Sequence, residues 1–198
     1  MKVVMFDYGV GNLHSLSKAL ARHGAQVEIV DHADHLDTAR AVVLPGVGAF
    51  GAGAERLAKA APMIRTAVED GLPCLGICLG MQLLLDASAE GTGAGLGIIP
   101  GQVRRLEATR IPHMGWNEVI PDVDPLFAGL EKPVAYFANS FVVSPTDPQS
   151  IIAWTEYEGQ RFPAAVRRRR AWGVQFHPEK SGGEGLRLLD NFMAEVAR

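Results

Sequence analysis

Cysteine is scarce in this chain. Two are present in 198 residues, Cys74 and Cys78, four positions apart. With no second pair they form neither a disulfide framework nor a zinc site. The usage fits a reducing, cytoplasmic setting. An excess of one charge is also lacking. Nineteen basic residues stand against 22 acidic ones, a formal net charge of −3. Nothing here points to nucleic acid or an anionic membrane surface. No apolar run reaches the roughly 18–20 residues of a membrane span. Met1-Lys2 leads straight into Val3-Val4-Met5-Phe6, too short for a signal-peptide core and without a cleavage site. Internal repeats, low-complexity segments and linkers are missing too. Residues 1–198 therefore read as a single domain.

What is present begins with core-forming residues, 47% of the chain. Lys2–Phe6, Gln26–Val30, Ala41–Leu44 and Pro73–Ile77 read as short apolar strands. Between them lie helical patterns: Leu13, Leu16, Ala19 and Leu20 at helical spacing, with Gly24 as a stop, and a second stretch reaching about Asp70, interrupted at Pro62. A further helix is expected from Cys78 to about Ala87. This alternation predicts an α/β fold with an open, mostly parallel central sheet flanked by helices. After Ser88 the texture changes. Ile98–Leu106, Asn117–Ile120, Val134–Phe137, Phe141–Val143 and Ile151–Tyr157 read as additional, antiparallel strands. Phe162–Arg167 and Ala171–Phe176 suggest a hairpin whose solvated tip is Arg168-Arg169-Arg170. A last helix runs from Gly185 to about Ala197, with Leu186, Leu189, Phe192, Met193 and Val196 on one face.

In a parallel sheet, binding loops gather at the carboxyl ends of the strands. Three loops then share one rim: Asp7–Asn12, Pro45–Gly48 and the turn at Cys78. The first contains Gly9-Val10-Gly11 but lacks the third glycine of a dinucleotide fingerprint. The last is Gly76-Ile77-Cys78-Leu79-Gly80, a strand-to-helix junction with the form of a nucleophile elbow. A nucleophilic thiol needs a base, and the base needs an orienting group. His14, His23, His32 and His35 have polar neighbours and read as surface residues. His177 ends a strand, and Pro178 forces it into an extended conformation. Residues two apart then face the same side, so Glu179 reaches the His177 imidazole. The backbone N–H of Leu79 is the expected first oxyanion donor. Pro45-Gly46-Val47-Gly48 is either the second donor loop, free to approach closely and flip a peptide, or an ordinary strand–helix turn. Cys74, inside the apolar strand, reads as a buried small hydrophobe. These parts imply acyl transfer through a thioester, most simply amide hydrolysis, without identifying the amide.

Gly76–Gln82 together with Gln175-Phe176-His177-Pro178-Glu179 resembles the class I (triad) glutamine amidotransferases, a flavodoxin-like family. Asp7–Leu13, Leu44–Phe50 and Pro112-His113-Met114-Gly115-Trp116-Asn117 narrow the resemblance to the glutaminase subunits of imidazole glycerol phosphate synthases. The resemblance spans nearly the whole chain. It implies that Cys78 attacks the glutamine amide, His177 shuttles the proton and Glu179 orients it. It implies that Gly48, Gln82, Glu90, Ser140 and Phe141 hold the substrate, and that a peptide turn at Val47 completes the oxyanion hole with Gly48 and Leu79. No cofactor or metal is implied. The implied partner is a (β/α)8 cyclase subunit of the HisF type that takes the ammonia in a heterodimer. Asn12, Trp116 and Tyr136 match positions at that interface. One stretch departs from the pattern. Where the family commonly has Tyr-Phe-Val-His-Ser-Tyr, this chain has Tyr136-Phe137-Ala138-Asn139-Ser140-Phe141. The main chain of Ser140 and Phe141 keeps its expected role.

Overall fold

The computed structural model describes residues 1–9, 13–22, 24–32 and 35–198. The expected half-chain of alternating elements is there: β1 (Lys2–Phe6), α1 (Leu13–Ala21), β2 (Gln26–Val30), β3 (Ala41–Leu44), α2 (Phe50–Leu57), α3 (Ala61–Glu69), β4 (Cys74–Ile77) and α4 (Leu79–Leu83). Pro62 sits in the first turn of α3, where its missing N–H costs nothing, so it starts a helix instead of kinking one. Then come β5 (Ala87–Ser88), β6 (Gly101–Arg105), β7 (His113–Glu118), β8 (Ile120–Pro121), β9 (Val134–Asn139), β10 (Phe141–Pro145), β11 (Ile151–Tyr157), β12 (Gln160–Arg168), β13 (Ala171–Val174) and α5 (Gly182–Val196).

Eight strands form the central sheet in the order β2-β1-β3-β4-β13-β12-β11-β8. Five are parallel, from β2 to β13, and the last three join antiparallel. The α/β reading holds, with the antiparallel addition in the C-terminal half. Apolar residues cover both faces. Val3, Met5, Val43, Leu75 and Trp172 belong to one buried cluster, while Val4, Phe6, Val42, Leu44 and Ile64 belong to the other. Two small sheets lie outside it, β10-β6-β5 and the hairpin-like pair β7-β9.

Two local expectations are corrected, and a third gains detail. The helix after Cys78 ends at Leu83, not near Ala87, and Ala87–Ser88 is a strand. A nearby loop takes over the carbonyls: Leu96 N–H donates to Leu83, Ile99 to Leu84 and Gly97 to Leu85. The strand expected at Asn117–Ile120 is split. β7 begins four residues earlier, at His113, and β8 pairs with a different sheet. The arginine tip is solvated as expected, with Arg168 and Arg169 exposed, and hydrogen bonds from the arginines also tie it down. Arg167 bonds Asp124 at 2.8 Å, Arg168 donates to the Ile98 carbonyl and Arg170 to that of Glu195. Arg169 takes the positive φ that the two-residue turn needs, +54°.

Candidate active site

The position of Cys78 follows from the strands beneath it. β4 and β13 are parallel and in register, with Cys74 opposite Ala171 and Ile77 opposite Val174. The Cys78 N–H extends that ladder to the Val174 carbonyl at 2.7 Å. Residues leaving the two strands therefore emerge side by side, although about a hundred positions separate them in sequence. Cys78 has φ +52° and ψ −104°, a combination rare for a residue with a side chain. Such strain persists only where surrounding structure imposes it. The glycines on either side show how. A Cβ on Gly76 would meet the Gly80 carbonyl at 2.6 Å, and one on Gly80 would overlap the Leu44 carbonyl. The turn closes this tightly only with glycine at both positions, as expected for an elbow.

His177 leaves β13 in the expected extended conformation, φ −104° and ψ 95°. Its N–H donates to the Tyr136 carbonyl at 2.8 Å, and its own carbonyl accepts from Ser181 Oγ at 2.6 Å. The next residues curl into a 3₁₀ turn, Pro178–Lys180, and do not stay extended. The turn still places Glu179 Oε1 3.0 Å from His177 Nδ1, with both side chains buried. Nε2 makes no hydrogen bond among the described residues. Burial by itself would lower the imidazole pKa. The Cys78 sulfur and then the Glu179 carboxylate more than reverse that, pushing it up to about 9. At neutral pH the ring is thus protonated, an imidazolium held between the Cys78 sulfur and the Glu179 carboxyl group.

A cavity of about 150 Å³ opens in front of the sulfur. Val47, Gly48, Cys78, Leu79, Gln82, Glu90, Ser140 and Phe141 all line it, with Ala138 and Asn139. Every expected substrate and oxyanion position is brought together here. The details add to the sequence reading. Glu90 Oε2 already accepts from the Phe50 N–H at the start of α2, 2.7 Å. Gln82 Nε2 donates to the Phe141 carbonyl at 3.3 Å and lies 3.5 Å from Gln175 Oε1. Asn139 Nδ2 donates to the same Phe141 carbonyl at 3.1 Å, while its Oδ1 is buried with no partner among the described residues. The Leu79 N–H does not face the cavity free: it donates to the Gly46 carbonyl at 3.4 Å. Val47 is exposed and Gly48 has φ +119°.

Sequence reasoning missed Gln175. It is fully buried and its Nε2 lies 3.6 Å from Cys78 Sγ. Only the strand register, which puts β13 against β4, could have found it. A larger open groove of about 780 Å³ runs over α2, α3 and the Thr92–Leu96 loop, but its lining has neither a cysteine nor a histidine, so size does not make it the reactive site. Among the described residues no group of three or more His, Cys, Asp or Glu side chains is placed to hold a metal ion. Trp116 and Tyr136 lie together on the outer face of β7-β9, ring centroids 6.1 Å apart, with Lys180 Nζ 5.7 Å from the Tyr136 ring. Asn12, the third expected interface position, lies outside the described residues.

A cysteine on a strained elbow with a buried His–Glu pair nearby is the arrangement that thiol-dependent amide hydrolysis calls for, and comparison with known proteins gives the family. The chain belongs to the class-I glutamine amidotransferase family, matched over residues 4–196. Within that class its relatives are narrower in kind. It is 46% identical to the imidazole glycerol phosphate synthase subunit HisH of Halobacterium salinarum, over 96% of this chain and 92% of the relative. It is also 46% identical to the HisH subunit of Thermosynechococcus vestitus, over 98% and 97%. Solved structures share the fold at lower identity. A PurLQS structure from Thermotoga maritima superposes with a TM-score of 0.82 at 21% identity, covering 98% of each chain. A glutamine amidotransferase crystal structure gives 0.78 at 21%, covering 98% of this chain and 99% of the other.

Proposed function

We propose that the chain, as one domain over residues 1–198, is the glutaminase subunit of an imidazole glycerol phosphate synthase in histidine biosynthesis. The observation that carries the reading is the cavity in front of Cys78. It is lined by Cys78 together with Gly48, Gln82, Glu90, Ser140 and Phe141, and at about 150 Å³ it has room for one amino acid, not for a peptide. Cys78 as thiolate attacks the carboxamide carbon of glutamine. The carbonyl oxygen becomes an oxyanion. The His177 imidazolium gives its proton to the departing nitrogen, the C–N bond breaks and ammonia leaves. Water, deprotonated by His177, then attacks the thioester; the C–S bond breaks, glutamate departs and the thiolate is restored beside the imidazolium. Glu179 holds the ring so that Nε2 faces the sulfur. Gln82, Glu90, Ser140, Phe141 and Gly48 fix the amino acid's head group. No step calls for a cofactor.

The oxyanion needs donors, and here Leu79 N–H is engaged by the Gly46 carbonyl. Turning the Gly46–Val47 peptide over exchanges that carbonyl for the Val47 N–H. Two donors, Val47 and Leu79, with Gly48 beside them, then face the developing charge. This turn is the gate. Free ammonia released without a consumer becomes ammonium and is lost, so a resting state with a blocked donor suits a subunit that waits for its partner. That partner is a cytoplasmic (β/α)8 cyclase subunit of the HisF type, in a heterodimer. It uses the ammonia on a phosphoribulosyl formimino ribotide, giving imidazole glycerol phosphate and an aminoimidazole carboxamide ribotide. Exposed Met114 and Trp116 with Tyr136 supply an apolar, aromatic docking patch.

The test is glutamate release by wild type and Cys78→Ala, each with and without the cyclase and its ribotide. Wild type is stimulated strongly by the loaded partner. The variant loses glutamine-dependent synthesis but supports synthesis from added ammonium. Equal wild-type turnover in all conditions would sink the reading.

A further inference from the structure

Tyr8 follows β1 on the rim that also carries Gly46 and Cys78. It is only 3% exposed, and its hydroxyl has no hydrogen-bond partner among the described residues. Buried polar groups almost always find a partner, so an orphaned hydroxyl calls for a reason. Burial first, with Cys74 and Cys78 behind it, raises the phenol well above its usual range, so it remains a neutral O–H donor. Its neighbour is the oxyanion loop. A Cβ built on Gly46 would stand 2.9 Å from the ring's Cε2 and 3.2 Å from the hydroxyl oxygen. The phenol therefore rests against the Gly46 α-carbon. The backbone leading to it is held as well. Gly9 N–H donates to Asp7 Oδ1 at 2.6 Å, and the Arg56 guanidinium lies against Gly9.

Two facts complement each other. In the resting arrangement the Gly46 carbonyl accepts from Leu79 N–H, and the Tyr8 hydroxyl has no acceptor among the described residues. Once the peptide turns, that carbonyl leaves Leu79 and becomes an acceptor without a donor. A buried carbonyl cannot stay unpaired cheaply. A free donor stands on the flank of the same residue. We propose that Tyr8 is a positioning residue for the oxyanion hole: its hydroxyl donates to the Gly46 carbonyl after the turn and so holds the Val47 N–H in the cavity beside that of Leu79. The assignment rests on the peptide turn proposed for this loop. It explains why an apolar side chain does not fill the same space, since phenylalanine would pack there without an orphaned hydroxyl.

Tyr8→Phe keeps the ring and removes the donor. Glutamine hydrolysis is measured in the complex with cyclase and ribotide, alongside thermal unfolding of the same preparation. The expected result is a kcat lower by roughly 3- to 10-fold, the scale of one net hydrogen bond. KM for glutamine is unchanged, and Tm is equal to or above that of wild type, because the resting state has lost an unpaired buried group. A wild-type kcat in Tyr8→Phe overturns the proposal. So does a fall in kcat that comes with a fall in Tm, which marks Tyr8 as packing alone, or a raised KM at constant kcat. A wild type that the loaded cyclase does not stimulate fails at an earlier point, because it removes the peptide turn on which the role of Tyr8 depends.

Discussion

The two sides of Cys78 are built differently. On the β13 side every part is pinned: strand register sets the height of His177, Tyr136 and Ser181 hold its backbone, and Glu179 holds its ring at 3.0 Å. On the β3 side the backbone runs through Gly46 and Gly48, a carbonyl occupies the Leu79 N–H, and a buried tyrosine hydroxyl has no partner among the described residues. The first side fixes the imidazole, while on the second the Leu79 N–H is engaged. Under the proposed peptide turn, regulation need move neither nucleophile nor base: one peptide unit in the donor loop suffices, and glycine at position 46 eases its movement.

The largest expected effects break the pinned side. Cys78→Ala removes the nucleophile, and glutamate release should fall by about 10⁴-fold or more, measured by coupled assay, with ammonium-dependent synthesis retained. Glu179→Gln should lower kcat by about 100-fold, the usual scale for impaired acid–base catalysis. Its pH profile is more telling. His177 is raised to about 9, so its proton is in place at neutral pH and is lost as pH rises through that value. Glu179 is one of the groups raising it. Removing the carboxylate lowers the imidazolium pKa, and the alkaline limb of kcat/KM should move to lower pH. An unmoved limb would mean that Glu179 only positions the ring.

The loop side should respond more mildly. Gly46→Ala places a side chain at φ +153° and 2.9 Å from Tyr8, resisting the turn. Roughly a 10-fold loss of stimulated kcat is expected, with unchanged alkylation of Cys78 by iodoacetamide. If alkylation falls equally, the substitution has spread to the pinned side and the two sides are not separable. At the docking patch, Trp116→Ala should weaken cyclase binding by about 2 kcal/mol, roughly 30-fold in Kd by titration calorimetry, as for a central aromatic anchor.

How much of this could be read beforehand follows the same division. The elbow was legible because it is local: two glycines around a cysteine between strand and helix patterns. His177 and Glu179 were legible because they are two residues apart behind a strand, although the 3₁₀ turn that joins them was not. Their convergence on Cys78 depended on expecting a parallel sheet. Gln175 and Tyr8 were not legible as parts of the site. Gln175 meets Cys78 only through the pairing of β13 with β4, and Tyr8 meets Gly46 only because β1 and β3 are neighbours. The early end of α4 was hidden for the same reason. Leu84 and Leu85 favour a helix locally, but the 95–99 loop claims the carbonyls of the last turn.

The mildest test concerns the other cysteine. Cys74 and Cys78 lie on one strand and its exit, four residues apart, and differ in surroundings. Cys74 sits within the sheet, fully buried, and burial pushes its thiol up to about 12. At pH 8 about one part in 10⁴ would be thiolate, so its sulfur is chemically silent. Its role is to fill space beside Val42 and Ala171. Cys74→Ala removes one sulfur atom from a packed core. The expected cost is about 1 kcal/mol, or a Tm lower by about 2–4 °C. Glutamine kcat and the stoichiometry of alkylation, one thiol per chain, should match wild type. A lost equivalent in that variant would show that Cys74 is reached by reagent, which requires the strand beneath the elbow to open. The pinned side would then be less rigid than its hydrogen bonds indicate.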